Sequence, residues 1–151
     1  MKSLSVGDWT FELLIGLDSP KAASLTAEVQ ATLDYIAEHQ ADLRAALLQA
    51  AKAEYDKALQ DKDAFDPEDL PDILPPIKND QDLLRLITPR DANVFATAAQ
   101  GLHFVGFMFA CTWDEEHGIG MLTHGGAVLR HGGGDTAVLE WMAEEAARKL
   151  G

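Results

Sequence analysis

A single cysteine, Cys111, leaves this 151-residue chain no intramolecular disulfide, so the fold must rest on its apolar core. Long apolar runs are also missing. The longest, Leu102 to Cys111, contains His103 and falls well short of the roughly 18 to 20 residues that span a bilayer, which excludes a membrane role. Met1-Lys2-Ser3 leads into polar residues instead of an apolar signal core, so the cytoplasm is the expected compartment. Positive charge is scarce, with 12 Lys and Arg against 25 Asp and Glu and a formal net charge of −13. That field repels a phosphate backbone and excludes nucleic acid as an expected partner, while it speeds encounter with a basic protein. The chain has no Gly-x-Ser-x-Gly elbow, no Walker lysine, no dinucleotide-binding glycine fingerprint, no His-Glu-x-x-His and no Cys-x-x-Cys. No cofactor is expected, and no residue stands out as catalytic.

What is present is an ordinary globular composition, 47% apolar and 25% charged, at a length that fits one domain over residues 1–151. Residues Val6 to Leu17 alternate, with Trp9, Phe11, Leu13, Ile15 and Leu17 on one side, which predicts an opening strand that Asp18-Ser19-Pro20 breaks. From Thr26 to Gln60 the apolar positions Val29, Leu33, Ile36, Leu43, Leu47 and Ala50 recur at helical spacing, predicting one long helix capped by Ser24 or Thr26. The segment Asp63 to Pro76 holds four of the six prolines and five acids, and it predicts a connector over about 63–78. Leu70, Ile73, Leu74 and Ile77 tie it to the core. Asn79 or Asp80 caps a short helix through Leu83, Leu84, Leu86 and Ile87 that Pro89 ends.

Strands follow over Asn93 to Thr97, Leu102 to Trp113, Ile119 to His124 and Ala127 to His131, the last two joined by the hairpin pair Gly125-Gly126. Asp135 caps a terminal helix over Thr136 to Leu150. These elements predict an α+β fold, an antiparallel β meander packed on one face by the long helix of the N-terminal half and the C-terminal helix. Trp9, Phe104, Phe107, Phe109, Trp113 and Trp141 have the periods of core residues.

The densest polar segment is Trp113-Asp114-Glu115-Glu116-His117-Gly118, between an apolar strand and a glycine-flanked one. As a turn, it holds itself through Asp114 bonding backbone amides and His117 fixing the loop, and it presents Glu115 and Glu116 to a partner. Asp114, Glu115, Glu116 and His117 are therefore the candidate partner-binding residues. The same side chains suit a metal, with His117, His124 and Glu116 as the candidate ligands and His131 nearby, although the spacing matches no strong metal motif. Gly132-Gly133-Gly134 before a helix has the look of a phosphate cradle, which Asp135 at the helix start opposes. Cys111 lies in a strand apolar on both faces, the setting of an inert thiol.

The run Phe107 to Gly120, followed by Val128 and Gly132-Gly133-Gly134-Asp135, resembles the end of a family of bacterial domains of unknown function, marked by a tryptophan-acidic-acidic-histidine-glycine motif. The resemblance extends to Gln30, Leu33 and Tyr35, to Ala50 through Tyr55 and to Asp80 through Ile87; at position 131, where the family usually has a small or apolar residue, this chain has His131. The family it resembles looks like one that turns up beside bacterial toxin and immunity genes. The resemblance implies a non-enzymatic, immunity-type binding protein that neutralises a basic partner toxin. The alternative is a metal-binding module or metal-dependent enzyme using His117 and adjacent carboxylates. A homo-oligomer paired through the long helix is a third reading.

Overall fold

The computed structural model describes residues 2–16 and 26–150; Leu17, the Asp18-Ser19-Pro20 break and the Ser24 cap lie outside them. Six strands form one sheet in sequence order: β1 (Ser3–Val6), β2 (Trp9–Ile15), β3 (Ile87–Ala99), β4 (Leu102–Cys111), β5 (Asp114–His124) and β6 (Ala127–Gly133). The fold is α+β, with the sheet mostly antiparallel. The opening segment is a hairpin and not one strand. Gly7, at φ +62, turns the chain so that Val6 pairs with Trp9. Asp8 then accepts from Arg44 Nε at 2.7 Å, and the Arg44 guanidinium lies 4.5 Å from the centre of the Trp9 ring.

The expected meander is corrected at one pair, because β2 and β3 run parallel from Glu12↔Asp91 to Ile15↔Val94. A parallel pair needs a long crossover, and α1 (Ala27–Glu38) and α2 (Gln40–Gln60) supply it. The expected single helix is broken at His39. Its imidazole Nδ1 bonds the Tyr35 carbonyl at 2.8 Å, and its own amide shifts to the Ile36 carbonyl. Gln40 takes the Ala37 carbonyl as well, so two side chains occupy acceptors that a continuous helix would use. Thr26 caps α1 by accepting from the Val29 amide.

The proline-rich connector is packed as its aliphatic residues predict: Leu74 is buried, and Phe65, Leu70, Ile73 and Ile77 lie against the core. It holds the short helix α3 (Leu70–Ile73) and leads to α4 (Asp80–Leu84), which Asn79 caps. Pro89 does not end a helix. It lies inside β3, which starts at Ile87, beside the irregularity between Pro89 and Asp91 and before the stretch that pairs with β2. A residue without an N–H is tolerated there because no neighbouring strand asks for it.

Strand β4 decides the layering. Val105, Phe107 and Phe109 face α1 and α2 in the main core with Phe11, Leu43, Leu47 and Tyr55. Phe104 points the other way, into a second cluster with Phe95, Leu122, Met142 and Ala143 of α5 (Glu140–Leu150). The terminal helix therefore packs on the face opposite the long helix, which corrects the one-faced arrangement. It also starts later than expected: Gly134–Ala137 forms a 3-10 turn and no side chain caps it, so Asp135 is not the cap of α5. That turn presses on the sheet where Gly106 and Gly120 leave room. A Cβ on Gly106 would stand 2.1 Å from the Ala137 carbonyl oxygen, a backbone atom that cannot give way.

Gly106→Ala should accordingly destabilise the fold by at least about 2 kcal/mol, the upper range for overpacking. Urea unfolding monitored by circular dichroism would register this as a lower midpoint at unchanged slope.

Candidate functional site

The polar segment sits where β4 turns into β5. Thr112 and Trp113 make the turn, not Asp114 to Gly118 as expected, and β5 begins at Asp114. Between the pairs Cys111↔Asp114 and Phe109↔Ile119, a single residue of β4, Ala110, stands opposite residues 115–118 of β5. The segment is a wide bulge that pushes Glu115, Glu116 and His117 into solvent. Asp114 Oδ1 accepts from the His117 amide at 3.1 Å and lies 3.1 Å from His117 Nδ1, closing the bulge locally. Gly118 is required at its base. Its φ is +69, and a Cβ there would meet the Phe109 carbonyl oxygen at 2.4 Å.

Three contacts fix the bulge to the body. Trp113 is buried edge-on to Tyr55 of α2, with ring centres 5.8 Å apart. Thr112 Oγ1 donates to the Ile73 carbonyl at 2.8 Å, and the Thr112 amide donates to the Leu86 carbonyl, so the turn is tied to the connector and to the segment after α4. On the far side, the backbone of Gly134 packs so closely on the His117 carbonyl that a Cβ would fall 2.1 Å from it. The glycine run is thereby spent on backbone contact with the bulge, a use the phosphate reading did not anticipate.

Asp61 at the end of α2 and Phe65 of the connector line the same hollow as Trp113 and Asp114, together with Lys57. The connector thus touches the base of the bulge at two places, Phe65 beside Trp113 and Asp114, and Ile73 at Thr112. Asp63, Asp66, Glu68, Asp69, Asp72, Glu115 and Glu116 are all exposed. Among the described residues none of them is within ion-pair distance of Lys, Arg or His.

The candidate metal ligands are not brought together. His117 and Glu116 lie on the bulge, while His124 ends β5 seven residues on, a distance of roughly 20 Å along a strand. His124 Nε2 bonds the Ala99 carbonyl at 2.7 Å and its ring packs on Phe104. His131 faces α2 instead, with Nδ1 2.6 Å from Glu54 Oε2. Among the described residues no three His, Cys, Asp or Glu side chains group in a way that could hold a metal ion.

Glu54 itself escaped the sequence reading. It lies on the stripe of Leu47, Ala50, Ala51 and Tyr55 and is only 6% exposed, held by His131 and, at 3.4 Å, by Lys57. A glutamate four residues beyond Ala50 on an apolar stripe is the signal that could have found it. The Cys111 thiol is buried and donates to the Asp114 carbonyl at 3.7 Å. Burial pushes its pKa up to about 11.

Geometry of this kind defines a six-stranded, mostly antiparallel α+β domain with helices on both faces and an acidic, self-bonded bulge at one sheet end. Residues 4–139 match the family described as domain of unknown function (DUF6985), and the chain belongs to that family. No curated protein and no solved structure matches it. No helix among the described residues is long and apolar enough to cross a membrane.

Two outcomes follow from the buried groups. His131→Ala strips Glu54 of its closest partner and should lower stability by about 1–3 kcal/mol, the range for a buried polar group left short of a hydrogen bond, measured by thermal or urea unfolding. Cys111, protonated in the fold up to about pH 11, should resist a thiol reagent at pH 8 and react promptly in urea; fast reaction of the native protein would contradict its burial.

Proposed function

We propose that the protein is a non-enzymatic cytoplasmic binding protein whose acidic face covers a basic partner protein, in the manner of an immunity protein neutralising a toxin. The observation that supports this reading is the contact between the acid-rich connector and the base of the acidic bulge. Thr112 clamps the bulge to α3 through Ile73, and Phe65 and Asp61 stand beside Trp113 and Asp114. Exposed carboxylates that are not ion-paired contribute a field that steers an approaching basic surface. Their effect falls on the association rate more than on the depth of binding, and it is screened within about 10 Å at 0.1 M salt. The bulge, fixed by Asp114 and by Gly118, offers Glu115 and Glu116 from a preordered backbone, so little entropy is lost when a partner docks. The resemblance of the Trp113 to Gly118 segment to domains encoded beside toxin and immunity genes points the same way.

The test is retention of proteins from the native host's lysate on the immobilised chain, run beside the Glu115→Lys/Glu116→Lys variant at low and moderate salt. The expected result is one basic protein held by the unaltered chain at low salt, with its association slowed about tenfold or more in the variant. Equal retention by both would overturn the assignment of this surface.

A further inference from the structure

His103, at the start of β4, meets α1 twice. Its amide donates to Thr32 Oγ1 at 2.9 Å, and its ring Nε2 lies 3.1 Å from Glu28 Oε1, one turn earlier on the helix. The other ring nitrogen, Nδ1, lies 2.6 Å from the Phe95 carbonyl oxygen of β3. A carbonyl oxygen only accepts, so that bond fixes a proton on Nδ1. Nε2 is then the nitrogen that decides the charge. Without a proton it sets a lone pair near a carboxylate oxygen; with one, the ring is a cation at ion-pair distance from that oxygen. Among the described residues the other four histidines, His39, His117, His124 and His131, each place a single ring nitrogen on an acceptor, and a neutral tautomer serves every one of them.

We propose that His103 is a proton-operated clasp between α1 and the sheet: with a proton on Nε2 it draws Glu28 in and holds the first turns of α1 down, and when that proton leaves, Glu28 swings into water. The two sides of the clasp differ in burial as this requires. The His103 side chain is 11% exposed and gives up its bond to the Phe95 carbonyl if it turns, whereas the Glu28 side chain is 51% exposed and has solvent to move into. The Thr32 bond, the bond from the Tyr35 hydroxyl to the Gly125 carbonyl and the burial of Val29 and Ile36 keep α1 in place meanwhile. Release therefore loosens the start of the helix without unfolding the protein. The other ionisable groups around the ring are spent on the backbone. Tyr35 of α1 and His124 of β5 line the same small hollow, the one bonded to Gly125 and the other, through Nε2, to the Ala99 carbonyl. Glu140 of α5 lies behind β3 on the amides of Ala96 and Thr97. A proton is taken up as the clasp closes, so by linkage acid strengthens it, until the carboxylate itself is protonated, and alkali opens it.

Backbone hydrogen exchange of the whole chain at about pH 5.5 and about pH 8.5, either side of the range in which histidine as a residue type changes charge, tests this. Protection in the first turns of α1, with each rate referred to an unstructured chain at the same pH, should fall by about threefold or more from the acid to the alkaline condition, the size of a partly exposed ion pair. Glu28→Gln should flatten that dependence. Its amide offers an oxygen to the cation and an NH2 group to the neutral ring, so it stays in place in both states. In the acid condition, nitrogen NMR of the unaltered chain should show a proton on each His103 ring nitrogen. Protection of α1 that does not change with pH overturns the proposal. So does a pH dependence that Glu28→Gln leaves in place, which would assign it to another histidine, and so does a His103 ring that carries one proton in the acid condition.

Discussion

From Phe104 to Cys111, strand β4 carries no polar side chain, so neither face of the sheet can be left to water. Burial of both faces is the constraint from which the other placements follow. On one side Val105, Phe107 and Phe109 require a broad cover, and α1 and α2 provide it by crossing the sheet between β2 and β3. That crossover makes β2 and β3 parallel in an otherwise antiparallel sheet. On the other side Phe104 needs only a small cover, which Met142 and Ala143 of α5 supply together with the Gly134–Ala137 turn. Glycine at 106 and 120 is the counterpart of that economy, because a backbone turn can lie directly on the sheet only where no Cβ intervenes.

The carboxylates divide into two populations by the work they do. Asp8, Glu54, Asp114 and Glu140 are structural. Glu140 accepts from the Ala96 and Thr97 amides of β3, Glu54 holds His131 of β6 to α2, Asp8 holds the first hairpin to α2, and Asp114 closes the bulge. Glu140, Glu54 and Asp8 each join segments distant in sequence, while Asp114 acts within its own bulge. The second population, on the connector and at Glu115 and Glu116, bonds to no cation among the described residues and projects into solvent. Tertiary contacts at Thr112 and Phe65 bring the connector up to the base of the bulge.

The α+β class, the Gly125-Gly126 hairpin, the Asn79 and Thr26 caps and the packed connector were legible because each is a local matter of side-chain period or turn chemistry. The bulge was half legible: the self-bonding of Asp114 follows from its residue type, but the turn falls two residues earlier than composition suggests. The break at His39 was hidden because a histidine has ordinary helical propensity until its ring takes the Tyr35 carbonyl. Strand β3 passing through Pro89 was hidden because proline is barred only from positions where a neighbouring strand needs an N–H, and strand order decides which those are.

By itself the sequence determined where the chain is apolar, where it turns and where its charge lies, since these depend on residues close together along the chain. Which face of the sheet each helix covers was decided only by the tertiary structure. So were the pairing of Glu54 with His131, the exposure of Trp141 and the contact of the connector with the base of the bulge. A periodic stripe says that one side of a helix is apolar but not what lies opposite it. In α5 Met142 and Ala143 turn to the sheet while Trp141, next to them in sequence, stays half exposed, and that division appears only when the whole chain is folded.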